Sequence, residues 1–104
     1  MSPTERTLER LRRAGMRADV VERWIPNPGH PAGGVRRDLF GVIDIVALDP
    51  VRGVVGIQST GLGYSEHYVQ LVTDKRAQVR VWLSVPGTAF ELWGWKRRKV
   101  KRGG

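Results

Sequence analysis

Cysteine is absent from this 104-residue chain, so it holds no disulfide framework and no thiolate zinc site. Long apolar runs are absent too. None approaches the roughly 20 residues that cross a bilayer, and no signal-peptide pattern is present. No internal repeat is visible. The expectation is a soluble intracellular protein without a membrane partner. Acidic residues are scarce, 10 against 18 Lys and Arg, which leaves a net charge of +8. Such an excess on so small a chain points to a polyanion. General solubility is the plain alternative, but the basic residues gather in both terminal regions. An anionic membrane surface would also attract the charge, yet no strongly apolar helix face accompanies it. The length suits one domain over 1–104 with a modest core and a basic tail from about residue 97.

The stretch 36–60 dominates the rest. Two β-rich apolar runs flank the turn Asp49-Pro50-Val51-Arg52-Gly53, which predicts a hairpin. Asp44 sits inside the first run and Gln58 inside the second. A carboxylate among Val42, Ile43, Ile45 and Val46 is costly to bury unless something pairs with it. A turn centred on Val51 places Leu48 opposite Val54, Val46 opposite Gly56 and Asp44 opposite Gln58. Asp44 and Gln58 would then project side by side, as two oxygen ligands for a hard divalent cation. One bulge would break this alignment. Asp38 lies six residues before Asp44, roughly 20 Å away along a straight strand. It can share an ion with Asp44 only if the strand starts near Phe40 and Asp38 lies in a folded-back loop.

Before the hairpin, Ser2-Pro3-Thr4-Glu5 starts a helix with a capping box, and Gly15 stops it. Its arginines either form a solvated face beside Glu5 and Glu9 or contact phosphate. Residues 17–25 read as one strand. Within it Glu22 either ligates a metal or only pairs with nearby arginine. Residues 26–35 hold three prolines and three glycines and read as a loop. His30 in this loop is either solvated or a proton carrier. Arg36 and Arg37 either bind phosphate or balance Asp38.

After the hairpin, 64–85 reads as helical, with Tyr68, Val72, Val79 and Leu83 near one stripe. Thr73-Asp74 offers a cap that would divide it into two helices. Lys75, Arg76 and Arg80 form a basic side. A final strand over 89–96 carries Phe90, Trp93 and Trp95, and then Lys96, Arg97, Arg98 and Lys99 open the basic tail. Bases stack on tryptophans and phosphates pair with such a tail. Tryptophans in the core before a solubilising tail are the alternative.

The order helix, three strands, helical segment, strand, with Asp44 late in the second strand and Gln58 and Thr60 spaced by one on the third, resembles the PD-(D/E)xK nuclease superfamily. It is most similar to small archaeal-type Holliday junction resolvases and their phage and bacterial relatives. The resemblance implies an α/β fold, a restriction-endonuclease-like αβββαβ core with a mixed central sheet. It implies cutting of DNA, including branched DNA, with Mg²⁺ or Mn²⁺. Ile43-Asp44 stands where the family has Pro-Asp, and Gln58-Ser59-Thr60 where it has acid-x-Lys. Asp44 and Gln58 would be ligands and catalytic groups, with Asp38 as a further ligand. Thr60 departs from the family lysine. Lys75 is the only lysine before the last strand and the candidate for a relocated one. Glu5, Glu9 and Glu22 are candidates for the glutamate that some members add. Arg36, Arg37, Arg76, Lys96, Arg97, Arg98 and Lys99 would hold DNA. Resolving a junction would require a homodimer, because two opposed strands are cut. The cell would be a bacterial or phage-infected one, and the compartment its cytoplasm. The alternative is a nucleic-acid-binding protein on the same fold that has lost cleavage. A plain basic scaffold is a third class, and it leaves Asp44 unexplained.

The charge distribution carries its own test. DNA affinity measured across a salt series should fall steeply, because phosphate contacts release counterions. Removing residues 96–102 should weaken binding to all sequences alike.

Overall fold

The structure is a computed structural model and describes residues 1–96. The first helix, α1 (Pro3–Arg13), begins where the Ser2 hydroxyl accepts the Glu5 N–H at 3.1 Å, with Pro3 in the first turn. It ends in a Schellman motif: Gly15 lies at φ +83°, its N–H reaches Arg12, and the Met16 N–H reaches Leu11. The chain then forms β1 (Arg17–Val20), β2 (Arg23–Pro26), β3 (Gly34–Arg37), β4 (Ile45–Asp49) and β5 (Gly53–Thr60). Two helices, α2 (Tyr64–Val72) and α3 (Arg76–Ser84), lead to the last strand, β6 (Thr88–Gly94).

The fold is mixed α/β. Four strands form a sheet in the order β1-β4-β5-β6, antiparallel except for the parallel pair β5/β6, which the two helices connect. The strands β2 and β3 make a separate antiparallel sheet. Side chains alternate between two cores, as the pleat requires. Ile45, Ala47, Val55 and Ile57 pack with Leu11 of α1. Val46, Phe90 and Leu92 pack against a second cluster of Val42, Ile43 and Leu71, which Val79 and Trp82 of α3 cover. Arg52 ties the β4–β5 turn to the last strand through ion pairs to Asp49 and Glu91.

Several expectations change. The single strand over 17–25 is two strands in different sheets, because the Val21 N–H closes on the Asp44 carbonyl at 2.8 Å and the chain turns away at Glu22. The first arm of the long hairpin starts only at Ile45; β3 belongs to the small sheet, and 38–44 is a folded turn. The helical segment divides in two, but Thr73 is not the cap: its hydroxyl donates back to the Val69 carbonyl. The break also shifts the helical phase. Tyr68, Val72 and Leu83 are exposed, while Leu71 and Trp82 turn inward. The Glu5 carboxylate makes no return bond to close a capping box among the described residues.

Gly53 opens β5 at φ +92°, and a Cβ there would meet the Gly87 carbonyl oxygen at 2.1 Å. Gly15 has a similar φ but nothing within 4 Å of a built Cβ. Gly53→Ala should therefore destabilise by at least about 2 kcal/mol and Gly15→Ala by only about 1 kcal/mol. Equal losses in denaturant melts of the two variants would show that the Gly87 contact has no weight.

Candidate metal centre

The register read from the turn is present: Leu48 opposes Val54 and Val46 opposes Gly56. It stops one step short of Asp44. The Asp44 N–H donates to the Ile57 carbonyl at 2.8 Å, although Ile57 is already the partner of Ile45. Two residues thus oppose one, the arrangement of a β-bulge, which bends a strand and re-aims a side chain. The bulge breaks the expected alignment of Asp44 with Gln58. The Asp44 carboxylate instead takes the Ser59 N–H at 2.8 Å and the Ser59 hydroxyl at 3.3 Å. Ser59 in turn shares a hydrogen bond with Thr4 at 2.9 Å, which links the site to the start of α1.

Gln58 is buried, and its Oε1 lies 3.2 Å from His67 Nδ1 on α2. No hydrogen bond joins Gln58 to Asp44 among the described residues. Thr60 is buried near the start of α2, where Gly63 approaches its hydroxyl.

Asp38 reaches Asp44 through the folded-back loop. Phe40 at φ 55° and Gly41 at φ 74° reverse the chain within a turn closed by the Leu39–Ile43 bridge. A left-handed phenylalanine is strained, and such strain gathers at functional turns. Here Val42 and Ile43 are wholly buried and the Phe40 ring lies 6.4 Å from that of Trp82. That packing holds the reversal in place.

Glu22 arrives from the small sheet. Arg23 pairs with Arg37 in β2/β3, so continuing that register by one step sets Glu22 opposite Asp38. Glu22, Asp38 and Asp44 each offer a carboxylate oxygen, and the three oxygens lie within 4.8 Å of one another. That is close to the roughly 4–5 Å between opposite ligand oxygens around a hard divalent ion. Sequence reasoning missed the β2/β3 hairpin. Its signal was present: a register centred on His30, between Pro26-Asn27-Pro28-Gly29 and Gly33-Gly34, pairs position 22 with 38.

The electrostatics match the geometry. Burial, first, and then a hydrogen bond with Asp38 push the Asp44 carboxyl from 3.8 up to about 7. Repulsion from Asp38 and Glu22 adds to this, against the Ser59 N–H, which favours the charged form. Near neutral pH Asp44 is thus only partly ionised, and a cation would displace its remaining proton. A set of carboxylate oxygens suits Mg²⁺ or Mn²⁺.

The remaining candidates are not members of this carboxylate group. Lys75 sits half-buried between α2 and α3 and forms no ion pair among the described residues. Glu5 is exposed on α1 and Glu9 pairs with Arg13. Arg36 and Arg37 are exposed on β3, beside Asp38, and Arg76 is exposed at the start of α3. Of the α1 arginines, Arg12 pairs with Asp19, and Arg6 lies over the Trp95 ring at 5.9 Å. Lys96 is exposed, while Arg97, Arg98 and Lys99 lie outside the described residues. No helix among the described residues is long and apolar enough to cross a membrane. Comparison with protein-family models, curated proteins and solved structures finds no match to this chain.

Because folding raises the Asp44 pKa, the folded state binds more protons than the unfolded one between 3.8 and about 7. This contribution to stability is complete in acid and is lost as pH rises through about 7. In chelator, Tm should fall between about pH 5 and about pH 8, and Asp44→Asn should flatten that part of the profile. Mn²⁺ added on the alkaline side should raise Tm of the unsubstituted protein and leave Asp44→Asn unmoved. A variant that keeps both responses would remove Asp44 from the site.

Proposed function

We propose that this protein is a metal-dependent DNA endonuclease that acts on a restriction-endonuclease-like core of the PD-(D/E)xK kind. The observation that carries the reading is the convergence of Glu22, Asp38 and Asp44 from three separate segments of a strongly basic chain. The order α1, then β1-β4-β5, then α2 and α3, then a parallel β6 agrees with an αβββαβ core, with the β2/β3 sheet as an insertion. Asp44, Asp38 and Glu22 hold Mg²⁺ or Mn²⁺. A bound ion polarises a phosphoryl oxygen and lowers the pKa of its water. The chain's own groups orient and charge the site. Ser59 fixes the Asp44 carboxylate, Arg36 projects from the same face of β3 as Asp38 to receive a DNA phosphate, and Arg37 adds positive charge from the other face. Gln58 joins the ligands only if His67 releases its oxygen. Branched DNA is the substrate, and cutting both strands of a four-way junction calls for a homodimer in the cytoplasm of a bacterial or phage-infected cell.

The second reading, a nucleic-acid-binding protein without cleavage, is favoured by one observation. Thr60 is buried where the resembled family has its lysine, and Lys75 forms no ion pair with the acids among the described residues.

Linear, flapped and four-way DNA incubated with Mg²⁺, Mn²⁺ or chelator separates the two. Cutting should need the metal. Asp44→Asn should reduce it by more than the roughly 10- to 100-fold that loss of a supporting group costs, while DNA affinity stays nearly constant. Lys75→Ala should slow cutting far more than it weakens binding if Lys75 replaces the family lysine. An unsubstituted protein that cuts none of the three substrates with either metal leaves only the binding reading.

A further inference from the structure

The small β2/β3 sheet does more than deliver two acids. Trp24 is the direct partner of Arg36, one residue beyond the Arg23–Arg37 pair. Side chains alternate along a strand, and carrying that alternation one step past the ends of β2 and β3 sets Glu22 and Asp38 on the face of Trp24 and Arg36. The position of the indole confirms the face. A Cβ on Gly34 would lie 2.6 Å from Trp24 Cε2, so the ring lies on the side to which β3 directs positions 34 and 36. Gly34 is itself buried, and the missing side chain is what lets the indole lie against the backbone. Trp24 nevertheless remains 53% exposed. The ring is backed by protein and open to solvent, which is the form of a stacking surface rather than of a core residue. The step from Glu22 to Trp24 is about 7 Å along the strand.

We propose that Trp24 and Arg36 form a binding platform for an unpaired nucleotide next to the acidic centre. The base stacks on Trp24 and the phosphate pairs with Arg36. Exposed Arg23 and Arg37 on the opposite face give the same arm a positive charge toward the backbone. Duplex DNA offers phosphates and groove edges but no free base face, whereas single strands bind by stacking on aromatics. The platform therefore selects DNA with a single-stranded arm or an unstacked base beside the phosphate to be cut. The inference rests on the nuclease reading for what that nucleotide is presented to, but not for the binding itself.

The test is a fluorescence titration of the full chain in chelator, where cleavage plays no part, with a short oligothymidylate and with a blunt duplex of equal length. The oligonucleotide should quench tryptophan emission. Trp24→Ala should lower its affinity about 5- to 100-fold, the range expected for one stacked base. Duplex affinity should change less than about twofold, and Trp24→Phe should restore most of the loss. Arg36→Gln should reduce the single-strand salt slope by about 0.7. Unchanged Tm in Trp24→Ala shows that the loss is local. The platform is overturned if the unsubstituted protein does not bind the oligonucleotide, if Trp24→Ala binds it equally well, or if both DNAs are lost in parallel. A protein that loses oligonucleotide binding in Trp24→Ala but cuts nothing keeps the platform and loses the nuclease reading. One that cuts flapped DNA equally with and without Trp24 does the reverse.

Discussion

Three carboxylates held within one ion's reach repel one another, and the fold around them has to offset that repulsion. Most of the unusual local structure serves this. The bulge at Asp44 turns its carboxylate out of the ladder and onto the Ser59 N–H. The left-handed Phe40 and Gly41 fold Asp38 back, and buried Val42 and Ile43 anchor the reversal in the second core. The β2/β3 register brings Glu22 alongside. Left alone, the cluster lowers its energy by keeping a proton on Asp44; a divalent cation does so by replacing it.

The same segments explain why a basic protein contains a local concentration of negative charge. The arginines stand around the acids rather than among them. Arg23, Arg36 and Arg37 are exposed on the strands that adjoin Glu22 and Asp38, and none forms an ion pair with them among the described residues. Arginines that neutralised the acids would leave nothing to attract a cation. Arginines beside the acids but not ion-paired with them leave the carboxylates open to a cation while drawing in a polyanion. The arrangement suits a phosphate brought to a metal, which needs both signs within a few ångströms.

The two cores divide the labour. The α1 side is conventional, with Leu11, Ile45 and Ile57 fully buried. The helical side is thinner: α3 buries no residue completely, and much of its cover comes from the loop residues Val42 and Ile43. The loop that carries Asp38 is thus part of the hydrophobic core. Apolar burial of Val42 and Ile43 anchors the loop, and the Gly41 N–H, donating to the Asp38 carbonyl at 3.0 Å, closes its turn.

What the sequence determined by itself is local. The Ser2 cap and Gly15 stop bound α1, and the turn at 49–53 sets the β4–β5 register through Val46 and Leu48. Asp44 was legible as a site because a carboxylate within an apolar run demands an explanation. Only the tertiary structure decided which groups join it. The pairing of Asp44 with Gln58 depended on unbroken alternation, and one extra residue at the bulge redirected the side chain to Ser59. Asp38 could share an ion with Asp44 only through a folded-back loop, and two left-handed residues supply that reversal. Glu22 stood open between metal ligand and arginine partner because β1 and β2 read as continuous; their separation depends on a bond from Val21 to Asp44, a residue far along the chain. Periodicity reports which residues share a face within one element. It carries no information on where that element ends when the terminating partner is supplied by another part of the fold.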